Sequence, residues 1–126
     1  MPNPFAIHKS TQDDVSLIRL EGYLDAHTAP QFERAIEDAI GEGRTRIVVD
    51  CEQLTYISSA GLGVFMSFVE ELREQGGDIK ICSLQPKVEG VFEVLGFMEI
   101  FDISATCAEA TKHFDEAHAA QAGEGA

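Results

Sequence analysis

Tyr56-Ile57-Ser58-Ser59-Ala60-Gly61-Leu62-Gly63-Val64-Phe65 is the stretch around which the chain is organised. Before it stand a short apolar strand, Arg46 to Asp50, and a polar connector, Cys51 to Thr55. After it runs a strongly apolar helix. Two adjacent hydroxyls therefore sit where a strand and loop hand over to a helix. A serine in that place caps the helix by accepting a hydrogen bond from a free backbone N–H. The same place suits an anion, because unpaired N–H groups and the helix dipole point outward. One serine can thus be a cap when bare and a phosphate carrier when modified.

Working outward, the spacing predicts a central helix from about Ser59 to Gln75, with Leu62, Phe65, Met66, Val69 and Leu72 as its buried stripe; Val64 and Phe68, four apart, widen it and either close a thick core or reach the surface. Gly76-Gly77 stops it, and Ile79 to Cys82 reads as the next strand. Upstream, Phe5 to Lys9 and Val15 to Glu21 read as two strands around a turn at Thr11 to Asp14. Gly22 to His27 reads as a loop. Thr28 and Gln31 have capping-box spacing, with Pro30 in the first turn of a helix that carries Phe32, Ala35, Ile36, Ala39 and Ile40 on one face. Gly41 and Gly43 end that helix.

Downstream, Gln85-Pro86 opens a third helix with Val88, Val91, Phe92 and Leu95 on one face and Gly96 just past its end. Ile100 to Ile103 reads as a final strand. Thr106 and Glu109 again have capping-box spacing and start a last helix that runs to about His118, with Cys107, Ala110 or Thr111, and Phe114 inward. The order β-β-α-β-α-β-α-β-α predicts a small α/β domain. Its mixed sheet has a parallel core and an antiparallel N-terminal edge, and about four helices pack on it. The domain is expected to span residues 5–118. Residues 119–126 carry only small and polar groups and are expected to form a short disordered tail.

The chain has 126 residues and a formal net charge of −13. That length holds one domain with a core of its own. The acidity argues against a nucleic-acid partner, since that affinity comes from neutralising phosphates with Lys and Arg. It is compatible with a basic protein partner. No apolar run approaches the ~20 residues of a membrane span. The N-terminus lacks a signal pattern, so the expected location is cytoplasmic, without membrane insertion. Cys51, Cys82 and Cys107 lack Cys-x-x-Cys spacing and read as buried thiols rather than a disulfide framework or zinc site.

Catalytic readings fare poorly. Ser59-Ala60-Gly61 completes half of Gly-x-Ser-x-Gly, but Ile57 stands where the first glycine belongs. Gly61-Leu62-Gly63 begins like a dinucleotide fingerprint, yet Met66 occupies the third glycine position. No phosphate-binding Gly-x-x-x-x-Gly-Lys motif is present, and His8, His27, His113 and His118 have no ligand spacing. No cofactor or metal is expected. Asp25, beside a helix start, reads first as an acid that satisfies loop and helix N–H groups, and second as a ligand or base.

Ser58-Ser59-Ala60-Gly61-Leu62-Gly63-Val64 resembles the helix-opening motif of the STAS domains, the sulfate-transporter and anti-sigma-factor-antagonist family. Gly22-Tyr23-Leu24-Asp25, the Gly76-Gly77 stop and Pro86 before Val91, Phe92 and Gly96 are similar too. The likeness covers about residues 5–117. It implies a non-enzymatic antagonist that binds an anti-sigma serine kinase when unphosphorylated. It implies phosphorylation at Ser59, with release of the partner and reset by a serine phosphatase. The family's acid before that serine is Ser58 here, which makes Ser58 a second candidate acceptor. Asp25, Ser58, Ser59, Gly61, Leu62, Gly63 and Val64 form the implied docking surface. Two alternatives are an accessory subunit of a membrane transport complex and a small nucleotide- or ligand-binding module.

Overall fold

The computed structural model describes residues 5–114; the expected tail at 119–126, the end of the domain at 118 and His118 lie outside the described residues. Strands Phe5–Gln12 (β1) and Val15–Leu24 (β2) open the chain as an antiparallel hairpin. Thr11 and Gln12 belong to the strand and pair with Ser16 and Val15, so the turn shrinks to Asp13 and Asp14. Asp13 takes φ 55°, a left-handed conformation that aspartate tolerates. The expected loop from Gly22 is strand as far as Leu24, because β2 keeps alternating and buries Ile18, Leu20, Gly22 and Leu24.

Helix Ala29–Gly41 (α1) buries Phe32, Ala35, Ile36 and Ala39, while Ile40 packs at the edge of the core. The expected capping box is absent. Thr28 holds αR geometry, and its hydroxyl is spent on the preceding loop instead. Strand Arg46–Ile57 (β3) runs straight through the connector read as a loop, since Cys51, Leu54 and Ile57 are apolar and buried. Helix Ser59–Glu74 (α2) buries Leu62, Val64, Phe65, Phe68, Val69 and Leu72. Met66, expected in that stripe, is 41% exposed. The apolar face is centred on Phe65 and Phe68–Val69, which turns Met66 toward solvent.

Strand Asp78–Cys82 (β4), helix Pro86–Val94 (α3) and a single 3-10 turn at Phe97–Glu99 follow. Val88 and Phe92 are buried, but Leu95 lies beyond the end of α3 and is exposed. The last strand is only Ile103–Ser104 (β5). Ile100 and Phe101, read as strand, instead close the 3-10 turn by donating N–H to the Phe97 carbonyl. The described part of the last helix (α4) covers 107–114, and Thr106 Oγ1 caps it by accepting from Glu109 N at 3.2 Å.

The five strands lie in the order β1-β2-β3-β4-β5, with β1–β2 antiparallel and the other pairs parallel. Residues alternate between faces along each strand. Ile47, Val49 and Ile81 join α1, α2 and α3 in the main core. Val48 and Cys82 face the other way and, with Val15, meet Ala110 and Phe114 of α4. Phe65 is the hub of the main core: its ring meets Phe32, Phe92 and Phe101 edge-on, with centroids 5.0, 5.8 and 5.9 Å away. At the α2–β4 turn a Cβ on Gly77 would stand 1.9 Å from the Thr45 carbonyl oxygen, so only glycine lets the two segments meet there.

The reading of all three cysteines as thiols is corrected. Cys82 and Cys107 are joined in a disulfide, and only Cys51 is a free buried thiol. The pairing joins residues 25 apart in sequence because β5 and its following turn return the chain over the end of β4. Cys51 belongs to the main core, where burial, reinforced by Asp50, pushes its thiol far above the usual range.

A polar cluster also fastens α4. Lys80 Nζ donates to Asp102 at 2.9 Å and to Asp78 at 3.3 Å, and lies 4.7 Å from the Phe114 ring centroid. His113 Nδ1 is 3.0 Å from both Asp102 oxygens. Partial burial on its own raises the Asp102 carboxyl. Hydrogen bonding and charge from Lys80, then from His113, outweigh that and hold it below the usual range.

Two outcomes follow from this packing. Phe65→Ala should cost about 3–5 kcal/mol in urea unfolding, while Met66→Ala should stay within about 0.5 kcal/mol. Equal losses would mean that the helix is rotated. Asp102 binds its proton less readily folded than unfolded. Its contribution is therefore complete above the unfolded value of about 3.9 and is lost as pH falls through the lower folded value. The urea midpoint of Asp102→Asn should fall less between about pH 5 and pH 3 than that of the parent.

Candidate functional site

Leu24 and Ile57 are paired at the C-terminal ends of the parallel strands β2 and β3, so Asp25 and Ser58 leave the sheet side by side. Ser58 N donates to the Leu24 carbonyl at 2.9 Å, which ties the two exits together. Ligand and partner chemistry in parallel sheets gathers at such strand ends. Helix α2 begins at once, and its first turn presses on both strands. A Cβ on Gly61 would stand 2.7 Å from Leu24 Cγ and 3.0 Å from Ile57 Cγ1. Glycine at 61 is therefore a packing requirement.

The two serines divide the work that one was expected to do. Ser58 is the N-cap: its backbone is extended, and its Oγ accepts from Gly61 N at 3.4 Å. Its carbonyl accepts from Leu62 N at 3.0 Å. Ser59 is the first residue inside the helix and is exposed. The cap and the exposed hydroxyl thus fall on two adjacent serines rather than on one. An N-cap must hold extended backbone, and the strand carries that conformation through Ser58.

The rest of the expected docking surface separates into two groups. Gly63 is exposed and Asp25 is half-buried. Gly61, Leu62 and Val64 are buried against the core and offer no side-chain surface. Asp25 Oδ1 accepts from His27 N at 2.9 Å and Thr28 N at 3.2 Å, and Thr28 Oγ1 in turn accepts from Asp25 N and donates to the Tyr23 carbonyl. Asp25 therefore does what an acid ahead of a helix does, satisfying loop and first-turn N–H groups.

The sequence reading missed an aromatic pair. Tyr23 and Tyr56 are register partners, are 39% and 42% exposed, and meet at a tilt of 42° with ring centroids 5.5 Å apart. Large half-exposed aromatic rings are common anchors of protein interfaces. The available signal was that both break the apolar alternation just before Leu24 and Ile57.

Two groupings elsewhere have catalytic or metal-like composition. Ser104, His113 and Asp102 come together, but Ser104 Oγ and the Asp102 carboxylate both approach the same ring nitrogen, Nδ1. A relay needs them on opposite nitrogens. Asp50, Cys82 and Cys107 bring a carboxylate and two sulfurs within 4.8 Å of one another. The sulfurs bond each other, and the Asp50 oxygens accept from Arg19 Nε and Glu52 N. Among the described residues no helix is long and apolar enough to cross a membrane.

Comparison with known proteins agrees with this geometry. BtrV of Bordetella bronchiseptica, a candidate anti-sigma factor antagonist, is 36% identical over 92 residues, which cover 73% of this chain and 79% of BtrV. The anti-sigma-B factor antagonist of Staphylococcus aureus is 26% identical over 98 residues, 78% of this chain and 91% of its own. Among solved structures, the anti-sigma factor antagonist SpoIIAA in its unphosphorylated form superposes with a TM-score of 0.74 at 28% identity, covering 90% of this chain and 97% of SpoIIAA. The phosphorylated form, from Bacillus, gives 0.67 at 28% identity, covering 87% and 98%. The STAS domain pattern matches residues 6–110, and with that span, this sheet order and the serine-led start of α2, the chain belongs to the STAS domain family.

Proposed function

We propose that this chain is an anti-sigma factor antagonist that works by partner switching, with Ser59 as the switch. Unphosphorylated, it binds an anti-sigma serine kinase and so frees the sigma factor. Phosphorylated at Ser59, it lets go, and a serine phosphatase restores it. The chain contributes an acceptor hydroxyl and a docking face, and the kinase brings the catalytic groups. The observation that carries this reading is the exposed hydroxyl of Ser59 at the first position of α2, beside a neighbour whose hydroxyl is already engaged.

The physical basis is local. Unpaired N–H groups and the positive end of the α2 dipole accommodate an anion at that position. A phosphate adds about −1.5 to −2 charges and three acceptor oxygens to the helix start. A partner seated there meets new bulk, new charge and a new desolvation cost. Tyr23 and Tyr56 supply apolar contact area beside the switch, and the net charge of −13 suits a partner with a basic face. SpoIIAA, whose structures include an unphosphorylated and a phosphorylated form, supports the reading by analogy.

Phosphopeptide mapping after incubation with the cognate kinase and ATP, paired with affinity measurements, tests it. Ser59→Ala should abolish modification and bind constitutively. Ser59→Asp should fold and bind poorly. Ser58→Ala should still be modified, yet cost about 1 kcal/mol of stability as a lost cap, whereas Ser59→Ala should stay within about 0.5 kcal/mol. Modification that survives in Ser59→Ala and vanishes in Ser58→Ala would move the switch to Ser58. If neither serine is modified and Ser59→Asp binds like the parent, partner switching is wrong for this chain.

A further inference from the structure

The back of the sheet carries a feature that the switch does not use. Cys82 is the last residue of β4 and is fully buried. Cys107 is half-buried in the first turn of α4. The bond between them pins the start of α4 to the sheet, on the face opposite α1, α2 and α3. Among the described residues the rest of the apolar attachment is small: Ala110 and Phe114 rest on Val15, Val48 and Cys82, with Leu17 at the margin.

Access to the two sulfurs is unequal. A cleft of about 340 Å³ opens beside Cys107, lined by Gln12, Val15, Leu17, Cys107, Thr111 and Lys112. Cys82 does not line it. The third cysteine cannot compete, because Cys51 faces the main core on the other side of the sheet.

We propose that Cys82 and Cys107 form a reversible thiol–disulfide clamp on α4, which exchanges with low-molecular-weight thiols and disulfides through Cys107. In opening, an external thiolate enters the cleft and attacks Cys107 Sγ. The Cys82–Cys107 bond breaks, a mixed disulfide forms on Cys107, and Cys82 leaves as thiolate. The proton that the attacking thiol lost on ionising ends on the Cys82 sulfur, which closes the proton balance. A second external thiolate then displaces Cys107. Two external thiols become one disulfide, and the protein gains two thiols. Closing is the reverse, with an external disulfide as oxidant and two small thiols released. The closed clamp holds the first turn of α4 down, and the open one leaves the helix on its few apolar and polar contacts.

Full-length protein equilibrated in glutathione–glutathione disulfide mixtures, then acid-quenched, denatured and alkylated, reads the exchange by intact mass. Alkylation should fall from three sites to one as the mixture becomes oxidising, with Cys51 the site that remains. Cys107→Ser and Cys82→Ala should show no such two-site step. Amide hydrogen exchange over 107–114 should slow at least about tenfold on closure in the parent and not in Cys107→Ser. Three alkylated sites in every mixture, a glutathione adduct that persists on Cys107 without closure, or equal α4 exchange in the two forms would each overturn the clamp.

Discussion

The close approach of α2 to the ends of β2 and β3 is the constraint on which the rest depends. The absence of a side chain at Gly61 lets the first helical turn settle onto Leu24 and Ile57. The Ser58–Leu24 backbone hydrogen bond locks the same junction from the strand side. With the axis so placed, Leu62, Phe65, Val69 and Leu72 must point into the core, and Phe65 becomes the ring that Phe32, Phe92 and Phe101 share. The exposure of Ser59 is a consequence of that same rotation. The buried core face and the exposed Ser59 are two sides of one helix phase.

The sheet separates two kinds of chemistry. Its front face is closed by three helices and an aromatic cluster, and buries the unreactive Cys51. Among the described residues its back face is covered by one helix, held through a disulfide, a small apolar contact and the Lys80–Asp102–His113 cluster. Lys80 is nearly buried and satisfied by two carboxylates, and Phe114 lies against it. Burying a cation costs heavily unless it is paired, so this arrangement specifies where α4 sits more than how tightly it sits.

Much of this was legible because periodicity reports burial directly. The 3.6-residue stripe of α1, the alternation of β2 and the parallel β-α-β pattern all appear in the sequence. The failures have identifiable causes. The polar residues Glu52, Gln53 and Thr55 hid the second half of β3, since a strand with one open face tolerates them. Met66 and Phe65 are neighbours of similar hydrophobicity, so composition alone could not say which faced in. Thr28 had the spacing of a cap, but its hydroxyl satisfies the Tyr23 carbonyl and Asp25 N–H, a tertiary demand that local spacing does not encode. The Cys82–Cys107 pairing depends on where β5 returns the chain, and no spacing rule carries that information.

The division between Ser58 and Ser59 bears on how a phosphate can act without unfolding anything. If one hydroxyl were both cap and acceptor, modifying it would exchange a neutral cap for a bulky charged one in the tightest part of the junction, against Leu24 and Ile57. With the cap on Ser58, the bond to Gly61 N does not use the Ser59 hydroxyl. A phosphate on Ser59, as proposed, would stand outside the packed junction, at the end of a dipole that favours it. Under the proposed switch, the free energy of modification would be expressed in the contact with a partner rather than in the fold. Such a partition would let a small domain change its binding without changing its shape.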